Sequence, residues 1–105
     1  MNTPIMTYSK FNVNKVGKSN LKMNERNSGV IFEKGVYLLM DRGWSKGTVF
    51  LNNFNIGKYW LKGPLCTIFI PEFLFYDGIN ELMIFEMNKT NQDMSVHFTG
   101  SHVFL

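Results

Sequence analysis

The segment GWSKGTVFLNNFNIGKYW, residues 43–60, holds both tryptophans of the chain together with a tyrosine, two lysines and three asparagines. Trp44, Lys46, Asn52, Asn55, Tyr59 and Trp60 combine flat apolar rings with amide and ammonium tips. A sugar site needs that combination, because a pyranose offers C–H faces for stacking and a hydroxyl rim for hydrogen bonds. The competing reading packs the Trp and Tyr rings into a protein core, with their N–H and O–H groups bonded at its margin. On sequence alone that second reading is favoured.

Other residues with chemical potential do not assemble into a catalytic pattern. Glycoside hydrolysis needs two carboxyl groups about 5–9.5 Å apart. The acids are Glu25, Glu33, Asp41, Glu72, Asp77, Glu81, Glu86 and Asp93. Most stand at turns or beside strand ends, no spacing pairs any two of them, and they read as solvated or structural. His97 and His102 are five apart in a strand-like region, which sets them on opposite faces and not as a metal pair. Cys66 is the only cysteine, so neither an internal disulfide nor a cysteine-built zinc site can form. G-x-S-x-G, P-loop and H-E-x-x-H patterns are missing. No catalytic residue, metal or cofactor is therefore expected. Asn88-Lys89-Thr90 is an N-glycosylation sequon, which matters only in the secretory pathway.

The elements that must position these residues are short. From Gly29 onward, apolar runs alternate with turn residues: Val30 to Phe32, Val36 to Met40, Thr48 to Leu51, Ile56 to Leu61, Thr67 to Ile70, Leu82 to Met87, Ser95 to Phe98 and His102 to Leu105. Runs of this length, rich in β-branched and aromatic residues, predict an all-β sandwich or barrel. Asn52-Asn53 and Asp77-Gly78 are turn pairs. Pro71 should end its strand, and Glu72 to Phe75 allows one helical turn. Upstream of Gly29 the chain is rich in Asn, Lys and Ser, with two short alternating pieces, Ile5 to Tyr8 and Phe11 to Asn14, that read as edge strands.

At 105 residues, 45% hydrophobic and 18% charged, the chain has the composition of one folded domain. The net charge is +3, with Lys10, Lys15, Lys18, Lys22 and Arg26 forming its densest basic stretch. No RNP-like, finger or helix-turn-helix pattern accompanies it, so it reads as a solvated face and not a nucleic-acid surface. No apolar run approaches the ~20 residues of a membrane span. MNTPIMTYSK lacks the basic-then-apolar order of a signal peptide, and localisation stays open.

The ordered motifs Trp44-x-Lys46-Gly47, Asn52 after a strand, Asn55-x-Gly57-Lys58-Tyr59-Trp60, Gly63-Pro64, Pro71, Gly78-x-Asn80-Glu81 and the closing SVHFTGSHVFL together resemble the C-terminal galactose-binding-like jelly-roll domain of glycoside hydrolase family 35 β-galactosidases. The likeness covers roughly residues 35–105. Asn53 stands where the family usually has Gly, and Lys58 where it has Arg. Residues 1–34 match poorly, as either a diverged version of the family's first strands or unrelated sequence. The resemblance implies a jelly-roll β-sandwich that is non-catalytic by itself. It would pack against a catalytic (β/α) barrel, in a lysosomal or extracellular setting for a full-length member. The alternative is a stand-alone carbohydrate-binding module recognising β-galactosides, with Trp44, Tyr59 or Trp60 as the stacking platform.

Overall fold

The computed structural model describes residues 4–17, 20–23, 31–40, 44–60, 67–87 and 96–100. Among these residues nine strands follow one another: β1 (Ile5–Lys15), β2 (Asn20–Met23), β3 (Ile31–Glu33), β4 (Gly35–Met40), β5 (Lys46–Leu51), β6 (Phe54–Trp60), β7 (Thr67–Pro71), β8 (Gly78–Glu86) and β9 (Val96–Thr99). A single 3-10 turn, Glu72–Leu74, separates β7 from β8. Six strands form one sheet in the order β3-β2-β1-β8-β5-β6, and three form a second in the order β7-β4-β9. Every pairing is antiparallel. The all-β sandwich expected from the spacing of the apolar runs is the fold that forms.

Alternation explains how the sheets close on each other. Val49 and Leu51 of β5 and Leu82 and Ile84 of β8 are buried on one side, facing Val36, Leu38 and Met40 of β4 and Ile70 of β7 on the other. Burying each such side chain is worth roughly 1.5–3 kcal/mol. Aromatic rings lock the two layers: Phe11 of the larger sheet lies 5.1 Å from Phe98 of the smaller one, and Phe75 meets both edge-on.

The turns follow the residues that build them. Asn52 and Asn53 take φ values of 51° and 69°, the positive pair that a tight hairpin between β5 and β6 demands. Three residues later β6 carries a bulge at Ile56, because Val49 pairs with Gly57 but Phe50 pairs with Asn55. β7 stops at Pro71 and β8 starts at Gly78, as the turn residues predict.

Two expectations change. Ile5 to Tyr8 and Phe11 to Asn14 are not separate pieces but parts of one strand of 11 residues. The N-terminal segment was expected to supply edge strands, yet only β3 lies at an edge, while β1 sits between β2 and β8. Its register with β8 runs without a shift from Ile5 to Val13. That ladder is too long for a marginal edge. Cys66, Asn88, His102, Gly63 and Pro64 lie outside the described residues, as do Glu25, Asp41 and Asp93.

Candidate functional site

The six residues singled out from the sequence divide between the two faces of the larger sheet. Gly47 and Tyr59 are register partners across β5 and β6, and both point into the sandwich. Tyr59 is buried, with its ring 5.9 Å from that of buried Trp44 in an edge-to-face arrangement. Lys46 and Trp60, the next pair along, point outward. The Lys46 side chain is exposed, and Trp60 retains 59% of its surface.

What organises the inner face is a residue that the sequence reading left among the structural acids. Glu86 is fully buried. Its Oε1 accepts the Tyr59 hydroxyl at 2.8 Å and the Ser45 N–H at 2.7 Å, and its Oε2 accepts the Lys46 N–H at 3.4 Å. The Met87 N–H closes the ring by donating to the Lys46 carbonyl at 2.8 Å. A buried carboxylate needs such partners, since desolvation without them costs far more than a surface charge does. The sequence did carry a signal for it. Leu82, Ile84 and Glu86 share one parity, so an acid continues an apolar alternation and has to point inward.

Burial pushes the Tyr59 phenol well above its ordinary range, reinforced by its hydrogen bond to Glu86 and by that carboxylate's charge. The consequence for stability has a definite sign. Below a pH of about 10 both folded and unfolded chains keep this phenol protonated, and its contribution is intact. Above about 10 the unfolded chain ionises while the folded one does not, so stability falls as pH rises. Urea midpoints measured across pH 8 to 12 are expected to fall more steeply above about 10 in the native chain than in Tyr59→Phe. Equal slopes in the two proteins would remove Tyr59 from the alkaline transition.

Asn52 is also occupied internally. Its Nδ2 donates to the Asn80 Oδ1 at 2.8 Å and to the Leu74 carbonyl at 3.3 Å, while its Oδ1 accepts the Glu81 N–H at 2.8 Å. Buried Asn80, absent from the sequence candidates, also receives the Tyr76 N–H and donates to the Tyr76 and Gly78 carbonyls. The two amides thus tie the β5–β6 turn to the loop before β8. Asn55 is exposed and accepts the Gly57 N–H at 3.0 Å, a local turn bond.

Three further carboxylates hold structure. Glu72 pairs with Lys15 at 3.1 Å, Asp77 accepts the Lys15 N–H, and Glu81 receives the Tyr8 hydroxyl and stands near Lys10. His97 lies exposed on β9. No group of three His, Cys, Asp or Glu that could hold a metal occurs among the described residues.

Of the six candidates, then, Trp44, Tyr59 and Asn52 are engaged inside the sandwich, and only Trp60 offers a large open ring. Trp60 has company on the outer face. Met6 and Tyr8 of β1, Met83 and Phe85 of β8 and Phe50 of β5 are aligned there by register, with Met87 exposed beyond the end of β8. Lys10, Glu81, Thr48, Lys46 and Lys58 share that face, so these apolar side chains form a stripe among polar ones.

A family model described as the galactose-binding domain of β-galactosidase matches residues 5–80, which takes in β1 to β7 and the start of β8. Among named proteins, the chain is similar to Beta-galactosidase 8 of Oryza sativa subsp. japonica, at 38% identity over 65 residues, covering 61% of this chain and 10% of the rice protein. It is 31% identical over 100 residues to Beta-galactosidase 1 of Dictyostelium discoideum, covering 95% of this chain and 14% of that protein. With Beta-galactosidase-1-like protein 2 of Homo sapiens it shares 46% identity over 57 residues, 54% of this chain and 9% of the human protein. The chain therefore spans only about a tenth of the length of most of these relatives.

Proposed function

The chain belongs to the family of β-galactosidase galactose-binding domains, and from that membership we propose that it is a non-catalytic β-sandwich of a β-galactosidase-like glycoside hydrolase, supporting a catalytic barrel by packing against it. Residues 35–105 carry the family motifs in this reading, and residues 1–34 serve as the opening strands. The observation that carries it is the inward commitment of the motif residues. Tyr59 and the backbone of Lys46 bond to Glu86, Asn52 bonds to Asn80, and Trp44 packs edge-on against Tyr59. Such groups shape a scaffold and are not free to grip a substrate. The stripe of apolar side chains on the outer face of the six-stranded sheet, Met6, Tyr8, Met83, Phe85 and Phe50, supplies the packing surface, since exposed apolar area marks interaction sites.

Two measurements test this. The 105-residue chain should release no chromophore from an aryl β-galactoside above the buffer rate, and a rate abolished by a Glu→Gln change in the chain would overturn the non-catalytic role. In a polypeptide joining the domain to its barrel, Phe50→Asp should lower thermal stability by several degrees more than it does in the domain alone. Equal shifts would remove the outer face from the packing.

A second reading is favoured by one observation, the exposure of Trp60 beside Lys46. A ring with an ammonium at its flank suits a β-galactoside. In that case Trp fluorescence changes saturably with the sugar, and the change disappears in Trp60→Ala while Trp44 still reports an intact fold.

A further inference from the structure

The β5–β6 turn and the loop before β8 present three aromatic rings to solvent at one end of the sandwich. Phe73 and Tyr76 retain 73% and 61% of their surface and Phe54 retains 57%, against 59% for Trp60. Exposed apolar residues scattered singly are ordinary, but these three are tied to one point. The Asn52 Nδ2 reaches the Leu74 carbonyl, next to Phe73, and the Asn80 Oδ1, which also accepts the Tyr76 N–H at 2.8 Å. Phe54 follows Asn52 by two residues. Phe75, between Phe73 and Tyr76, is buried against Phe11 and Phe98, so the core pins the loop by its middle ring. Turn and loop are thus fixed before any ligand arrives, which spares binding the cost of ordering them.

Polar groups are interleaved with the rings. Exposed Asn53 and Asn55 flank Phe54, and Asn55 engages the Gly57 N–H through its Oδ1, with its NH2 left as a donor. Exposed Asp77 follows Tyr76 and accepts the Lys15 N–H at Oδ1, with Oδ2 left as an acceptor. Flat rings beside amide and carboxylate groups suit a pyranose, which offers C–H faces and hydroxyls together. Charge narrows the class. Residues 52–55 and 72–80 include two carboxylates, Glu72 and Asp77, and no lysine, arginine or histidine. The ammonium that reaches them, on Lys15, is engaged by Glu72 at 3.1 Å. An anionic ligand would therefore approach carboxylates, which opposes it.

We propose that this tip is a binding site for a neutral oligosaccharide of two or more units. Phe54 stands on one segment and Phe73 and Tyr76 on another, so the stacking platforms call for more than one sugar ring. The amides of Asn53 and Asn55 and the Asp77 carboxylate bond its hydroxyls. Trp60 ends β6 six residues beyond Phe54, about 20 Å away along the strand. The tip is therefore separate from Trp60 and from the packing of the outer stripe on a barrel, and neither of those roles depends on it.

Amide chemical shifts of the isotope-labelled 105-residue chain, titrated with β-1,4-galactotriose, should move saturably at residues 52–55 and 73–80, with a Kd of about 1 mM. Phe73→Ala and Tyr76→Ala remove exposed rings and leave the buried amides in place, and each should weaken binding by about tenfold. Oxidising the C6 hydroxyls of the same trisaccharide to carboxylates should also weaken it by about tenfold at low salt. Shifts confined to the surroundings of Trp60 would overturn the tip site and leave the Trp60 platform standing. Shifts nowhere would overturn both. Equal or tighter binding of the carboxylated sugar would overturn the neutral class. Shifts at the tip that follow protein concentration and not sugar would assign these rings to contact between copies, and the proposal would fall.

Discussion

Replacing Gly47 with alanine is expected to destabilise this domain by about 3 kcal/mol or more. A Cβ at this position would stand 2.0 Å from the Phe85 carbonyl oxygen and 2.6 Å from the Tyr59 hydroxyl. The first of those atoms is backbone, in the strand that β5 pairs with through Gly47 and Glu86. A side chain could swing aside, but a ladder carbonyl cannot move without parting β5 from β8. Those two strands carry Val49, Leu51, Leu82 and Ile84 into the core, so their separation would open the centre of the sandwich. With domain stabilities of roughly 5–15 kcal/mol, the loss takes a large share of the total. Urea denaturation followed by circular dichroism measures it. Gly100→Ala is the control, since among the described residues its Cβ would meet only the Phe32 ring at 3.8 Å, and it should change stability by less than about 0.5 kcal/mol. Similar midpoints for the two variants would contradict the close approach at Gly47.

The contrast between these glycines shows what a sequence can and cannot express. The strands from β4 to β8 were legible because their alternation is clean and their turns use residues chosen for positive φ, such as Asn52 and Asn53. β1 was legible only in fragments. Residues 6–10 are exposed on both faces, so Thr7 and Ser9 occupy positions of inward parity without being buried, and the alternation that would have announced a long strand is lost. Family motifs flagged Trp44, Gly47, Tyr59 and Asn80 as residues of one pattern. They could not say that Trp44 and Tyr59 face inward while Trp60 faces out, since that depends on the register between β5 and β6. Parity within β8 could have singled out Glu86, but which donors it meets depends on bringing Ser45, Lys46 and Tyr59 to one place, a property of tertiary contact and not of spacing.

Removal of that carboxylate has the second large effect. Glu86→Ala withdraws the acceptor from the Tyr59 hydroxyl and from the N–H groups of Ser45 and Lys46 at once. Each donor stranded away from water costs about 1–3 kcal/mol, and with partial rehydration of the loop before β5 the expected loss is about 3–5 kcal/mol. Glu86→Gln preserves the shape and one acceptor oxygen but turns an NH2 toward donors, so a loss of about 1–3 kcal/mol is expected. Tyr59→Phe removes only the hydroxyl and leaves the carboxylate bonded to the two backbone groups, at a cost of about 1–2 kcal/mol. The decisive quantity is the pair. If Glu86 positions the loop through Tyr59 and the backbone together, Glu86→Gln combined with Tyr59→Phe will cost less than the two single losses added, with a coupling of about 0.5–3 kcal/mol. Trp44, packed edge-on against Tyr59, gives a fluorescence signal for the same event, and its emission should shift to the red in Glu86→Ala under conditions where most of the chain remains folded. Additive losses with unchanged Trp44 emission would mean that the carboxylate and the phenol act separately, and that the aromatic pair is held by the core alone.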